Sequence, residues 1–205
     1  PSSNLASSTQ YYVQIPTTAF DDAAGNSYAG ITDTTSLSFT TADVGVPTLA
    51  NTTPSYGATN TALDTNFVLT FSEAVDVESG NILIKKSSDN STVESIDVTS
   101  NQVTGSGTTQ ITINPSSNLA SSTQYYIQIP ATAFDDSSSN SYAGITDTTS
   151  LSFTTVDTTS PTLSSTSPSD GSTAVAVDSN IVLTFSEAVD AENGFINIYY
   201  SDNRP

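Results

Sequence analysis

Leu69-Thr-Phe-Ser-Glu-Ala-Val-Asp76 decides the fold. It lies across the end of the run Asn66 to Ser72, in which Phe67, Leu69 and Phe71 alternate with Val68, Thr70 and Ser72. Period two puts the three large apolar side chains on one face of a β-strand. That face is expected to wall a sandwich core. The acidic stretch Glu73 to Gly80 is expected to be a loop and to supply half of a calcium site. The octapeptide returns letter for letter as Leu183 to Asp190, 114 residues later.

The offset recurs. Pro1 to Tyr12 repeats unchanged at Pro115 to Tyr126, and Ser27 to Thr41 at Ser141 to Thr155. A fixed period means an array of like units. Residues 1–43 read as the C-terminal part of one module, 44–156 as a complete module and 157–205 as the N-terminal part of the next. The tail Arg204-Pro205 departs from Ser91-Thr92 of the earlier copy.

Within the complete module, short strands are expected around Pro47 to Leu49, at Asn66 to Ser72, Asn81 to Lys86 and Thr92 to Thr99, around Ile111 and Ile113, through Tyr125 to Ile129, and at Leu151 to Thr155. Pro and Gly punctuate the turns. No segment carries a helical stripe. Seven short antiparallel strands give an all-β, Ig-like β-sandwich. Leu119 and Tyr125 have the spacing of a tyrosine corner, in which the phenol bonds back to the backbone.

Composition narrows the role. There are 205 residues, with 3 Lys+Arg against 21 Asp+Glu, a net charge of −18, and no Cys, His, Met or Trp. Such acidity repels nucleic acid and anionic membrane surfaces. No apolar run nears the roughly 20 residues that span a bilayer, so no membrane insertion is expected. Without His or Cys, Ser-His-Asp and Cys-His machinery is excluded, and no P-loop or GxGxxG is present. Carboxylate pairs recurring in each module read as ion ligands rather than a glycosidase pair, so no enzyme is expected. Without Cys, rigidity has to come from something other than disulfides, and divalent cations suit an acidic chain.

Strand direction gathers the acids. Alternating strands place the second-to-third strand loop, the sixth-to-seventh strand loop and the incoming linker at one pole. In the complete module this assembles Glu73, Asp76, Glu78, Asp135, Asp136, Asn140 and the linker residue Asp43. The repeat adds Asp21, Asp22 and Asn26 before it, and Asp157, Glu187, Asp190 and Glu192 after it. One carboxylate pair at 4 Å costs roughly 4 kcal/mol at an effective dielectric of ~20. Ca²⁺, which takes six to eight oxygens, would remove that cost.

Taken together, the Pro-Thr-Leu opening, Thr70-Phe-Ser-Glu73, Asp22 to Asn26 and Phe39-Thr-Thr41 resemble the bacterial Ig-like modules of giant surface adhesins and S-layer-like proteins. The resemblance covers essentially the whole chain. It implies an extracellular extender on the bacterial cell surface, holding a distal binding domain away from the cell, with calcium stiffening the junctions between neighbouring modules. Departures are Asp136-Ser-Ser-Ser-Asn140, which lacks the Gly, and the unlike linkers Asp43-Val-Gly-Val-Pro47 and Asp157-Thr-Thr-Ser-Pro161. Two alternatives stay open. One is a subunit of a self-assembling filament or S-layer, with copies associating head to tail through their partial modules. The other is a glycan-binding module using Tyr126, Tyr142, Tyr199 and Tyr200.

Overall fold

The computed structural model describes residues 3–199. Pro1 of the repeat, Tyr200 and the tail Arg204-Pro205 lie outside the described residues. The chain forms two compact units, divided after Asp157. Among the described residues every regular element is a strand.

The intact module lies in the first unit. Its strands are β3 (Leu49–Thr53), β4 (Ala58–Thr61), β5 (Phe67–Val77), β6 (Asn81–Lys86), β7 (Thr92–Asp97), β8 (Val103–Thr104), β9 (Thr108–Ile113), β10 (Gln124–Gln128), β11 (Phe134–Asp135) and β12 (Ser152–Thr155). Ahead of it, β1 (Gln10–Tyr12) and β2 (Ser38–Thr40) pair as a hairpin. The second unit holds the antiparallel pair β13 (Leu163–Ser167) and β14 (Val182–Phe185).

Two sheets enclose the core of the intact module. One runs β4-β12-β10-β6-β7, and the other β11-β5-β9-β8 with β3 also on β5. Inward residues alternate as the sequence indicates. Phe67, Leu69 and Phe71 are buried on β5, facing Ile82, Ile84 and Ile127 from the opposite sheet. Aromatic contacts fill the core: Phe67 meets Phe153 of the opposite sheet at 5.3 Å between ring centres, and Phe71 meets Phe134 of its own sheet and Tyr142 at 5.5 and 5.2 Å. The tyrosine corner forms. The Ala120 N–H donates to Tyr125 Oη at 2.9 Å, and the Ala6 N–H to Tyr11 Oη at the same distance.

Four expectations need correction. Glu73 to Val77 is strand, not loop. Its outer half has partners: Asp76 and Val77 face Asp135 and Phe134 of β11, and Val75 faces Thr108 of β9. The long loop 131–149 is likewise partly ordered by pairing, with β11 and the Ile129–Ile145 bridge inside it. β4 and β8 are additional strands. β4 runs parallel to β12, and its side chains give no period-two signal. In the last partial module the third strand does not form over 193–199, and β14 stops at Phe185 where β5 continues to Val77. In the intact module β6 pairs with β10, and the far end of β5 with β11 and β9; among the described residues of the second unit, β13 and β14 pair with each other.

Candidate metal centre

Three carboxylates converge at one pole of the intact module. Oxygens of Asp43, Glu73 and Asp136 lie within 4.8 Å of one another. They come from the linker, from β5 and from the loop after β11.

Glu73 sits beside a register irregularity in β5. By alternation it shares a face with Phe71 and Val75, both buried. The β5–β9 register shifts between Thr70 and Val75, and such irregularities re-aim side chains. Glu73 ends half-buried at the rim of the core. Burial, then the negative charges of Asp136 and Asp43, push its carboxyl above the ordinary 4.5. No described residue donates a hydrogen bond to it.

Asp136 is buried and held by its own loop. Its Oδ1 accepts from the N–H groups of Ser138 and Asn140, both at 2.8 Å, and its Oδ2 from Asn140 Nδ2 at 2.8 Å. The Asn140 amide, and after it those backbone N–H groups, outweigh burial and hold the carboxyl below the ordinary 3.8. The Asn140 amide also reaches the Asp43 carbonyl at 3.4 Å. Asp22 repeats this loop, accepting from the Ala24 and Asn26 N–H groups and from Asn26 Nδ2.

Asp43 ties the linker to the preceding partial module. Its Oδ1 accepts from Ser7 Oγ at 3.1 Å and from the Gly45 N–H at 2.9 Å, while Ser7 Oγ accepts from the Val44 N–H. Asp157 repeats the contact with Ser121 Oγ at 3.1 Å. Sequence reasoning missed Ser7 and Ser121. Their signal was available, because Asp43 and Asp157 follow the exact repeat of Ala6-Ser-Ser-Thr9 as Ala120-Ser-Ser-Thr123.

The other expected ligands are not in this cluster. Asp76 accepts from Ser106 Oγ at 3.2 Å and faces Asp135 across the β5–β11 pair. Pairing therefore turns both away. Glu78 is exposed where its N–H donates to the Ala133 carbonyl. Asp21 bridges to Ser27 and Asp135 to Ser141. In the second unit Asp190 and Glu192 are exposed on irregular backbone. Glu187 Oε1 there is shut off from water without a hydrogen-bond partner. Of the four tyrosines of the glycan alternative, Tyr126 and Tyr142 are buried, with the Tyr126 hydroxyl donating to Asn90 Oδ1 at 3.0 Å, Tyr199 is exposed, and Tyr200 lies outside the described residues.

The donor set fits a hard cation. It is all oxygen, with three anionic groups from separate elements, and calcium accepts carboxylate and carbonyl oxygens in irregular geometry.

The sequence profile of the bacterial Ig-like domain matches residues 1–41, 43–155 and 157–205. The chain belongs to the bacterial Ig-like domain family. Such domains are structural, non-catalytic modules. Two solved structures are similar at 15% identity. CopC from Methylosinus trichosporium OB3b has a TM-score of 0.39 over 56% of this chain and 97% of that one. The S-layer protein rSbsC(31-844) has a TM-score of 0.36 over 58% of this chain, which spans only 15% of that one. Both likenesses are too distant to transfer any property. None of the curated proteins compared with this bacterial Ig-like chain matches it.

Proposed function

We propose that this chain is an extender segment of a secreted bacterial surface adhesin, stiffened by calcium where one module meets the next. The carrying observation is the double engagement of Asp43. Its carboxylate is bonded by Ser7 of the preceding partial module and lies within 4.8 Å of Glu73 and Asp136 in the following module. Asp43, Glu73 and Asp136 would hold the ion, with the Asp43 carbonyl close by. Calcium would supply positive charge that offsets the repulsion among them. An ion held this way fixes the linker, and a fixed linker converts beads on a string into a rod.

The chain's own residues prepare that state. Asn140 and the loop N–H groups keep Asp136 ionised, and Ser7 orients the Asp43 carboxylate. Glu73, raised above its usual range, is the ligand whose charge is costly without an ion. An extracellular place suits the absence of Cys from the sequence and the millimolar calcium affinities of many extracellular modules. Small-angle scattering of the 205-residue chain tests the reading. Calcium is expected to lengthen the maximum dimension and sharpen the distance distribution relative to EDTA; identical profiles would overturn it.

A further inference from the structure

We infer that Gly45 sets how tightly this junction holds its ion. By lacking a side chain it leaves the space beside Asp43 and Glu73 to the ion and its water ligands. This rests on Asp43, Glu73 and Asp136 holding calcium, as proposed above.

Gly45 stands two residues after the linker aspartate, and its N–H donates to Asp43 Oδ1 at 2.9 Å. A methyl group on its α-carbon would stand 3.2 Å from Asp43 Oδ1 and 3.9 Å from Glu73 Oε1. Chain neighbours aside, no other described atom would lie within 4 Å of that methyl group. The position therefore borders two of the three carboxylates and is otherwise open. Its φ lies outside the left-handed region, so the backbone does not call for glycine here. What a side chain would disturb is the cluster.

Calcium takes six to eight oxygens, and three carboxylates leave part of that shell to carbonyl oxygen and water. Water ligands need room beside the carboxylates, and Gly45 is where the linker leaves it. A methyl group would occupy that room. At 3.2 Å it would also crowd Asp43 Oδ1, which accepts from Ser7 Oγ and would have to give by a few tenths of an ångström. Both effects oppose binding without changing the charge of any ligand. The second linker carries Thr159 where the first carries Gly45. Junctions of one array would then fill at different calcium concentrations, the glycine type first, and the array would stiffen in stages.

Calcium titration of the 205-residue chain, followed by amide NMR, tests the inference. The Ser138 N–H and the Asn140 amide donate to Asp136, so their resonances report on this junction. In wild type they should shift and saturate. Gly45→Ala should need about tenfold more calcium for half-saturation, as expected for one crowding methyl group. Gly45→Thr, which writes the second linker's residue into the first, should be weakened at least as much. Val44→Ala, next to it in the linker and 71% exposed, should titrate as wild type. In EDTA the Gly45→Ala chain should melt no lower than wild type. Wild-type affinity in Gly45→Ala or Gly45→Thr overturns the inference and leaves the calcium reading standing. An equal loss in Val44→Ala, or a Gly45→Ala melt well below wild type in EDTA, also overturns it, because the effect then lies in the linker or the fold instead of at the ion. Wild-type resonances that ignore calcium altogether overturn the calcium reading and this inference with it.

Discussion

Glu73→Gln separates the two things this residue does. The amide keeps the shape of the carboxylate and removes its charge. In EDTA the wild-type carboxyl is raised above 4.5 by burial and by the charges of Asp136 and Asp43. A carboxyl raised in the folded state contributes stability that is present below its unfolded pKa and lost as pH rises through its folded pKa. At neutral pH the ionised Glu73 therefore works against folding. The variant should melt at or above wild type in EDTA. In calcium the order should reverse. An ion that binds only the native state stabilises by RT ln(1 + [L]/Kd), about 2.7 kcal/mol at a hundredfold excess. A module of about 110 residues unfolds with an entropy near 0.23 kcal/mol/K, so the wild-type melt should rise by about 12 °C. Glu73→Gln removes one of three anionic ligands and should lose most of that rise. Calorimetry of both proteins in EDTA and in calcium reads the effect directly. A variant that melts well below wild type in EDTA, or that gains the same increment from calcium, would refute the reasoning.

Three further outcomes are expected. Calcium affinity, followed by titration calorimetry, should weaken on acidification through the raised Glu73 range, above the pH at which an ordinary glutamate would act; an affinity that is flat across that range would count against Glu73 as a ligand. Phe71→Ala empties a site against Phe134 and Tyr142 and should cost about 3–5 kcal/mol in denaturant unfolding, while Val68→Thr on the other face of β5 should cost far less. Tyr125→Phe removes the acceptor for the Ala120 N–H and should cost about 1–2 kcal/mol, with no change in the calcium response.

The inward residues of the fold were legible because period two is a local property. Phe67, Leu69, Phe71, Ile82 and Ile84 follow from alternation alone. The outer half of β5 was not, because Glu73 and Asp76 have low strand propensity and the segment is held by partners far along the chain, β11 and β9. Their pairing also explains the site. Strand direction correctly brought the linker, β5 and the loop after β11 to one pole. It could not say which acids point there, because that depends on a register irregularity beside Glu73 and on Asp76 and Asp135 facing each other. The Asp147 loop shows the same limit. Its carboxylate accepts from the Thr149 and Ser150 N–H groups and both hydroxyls, which hold it well below the usual range and keep it a turn residue.

The junction itself can be read by spin-label distance measurement. The chain has no cysteine, so Ala24→Cys and Ser88→Cys, both at exposed positions, give two clean labels on either side of Asp43. With calcium bound by Asp43, Glu73 and Asp136, the distance distribution should be narrow in calcium and broad in EDTA, and Glu73→Gln should be broad in both. A distribution of equal width in calcium and in EDTA would contradict calcium as the element that fixes this linker.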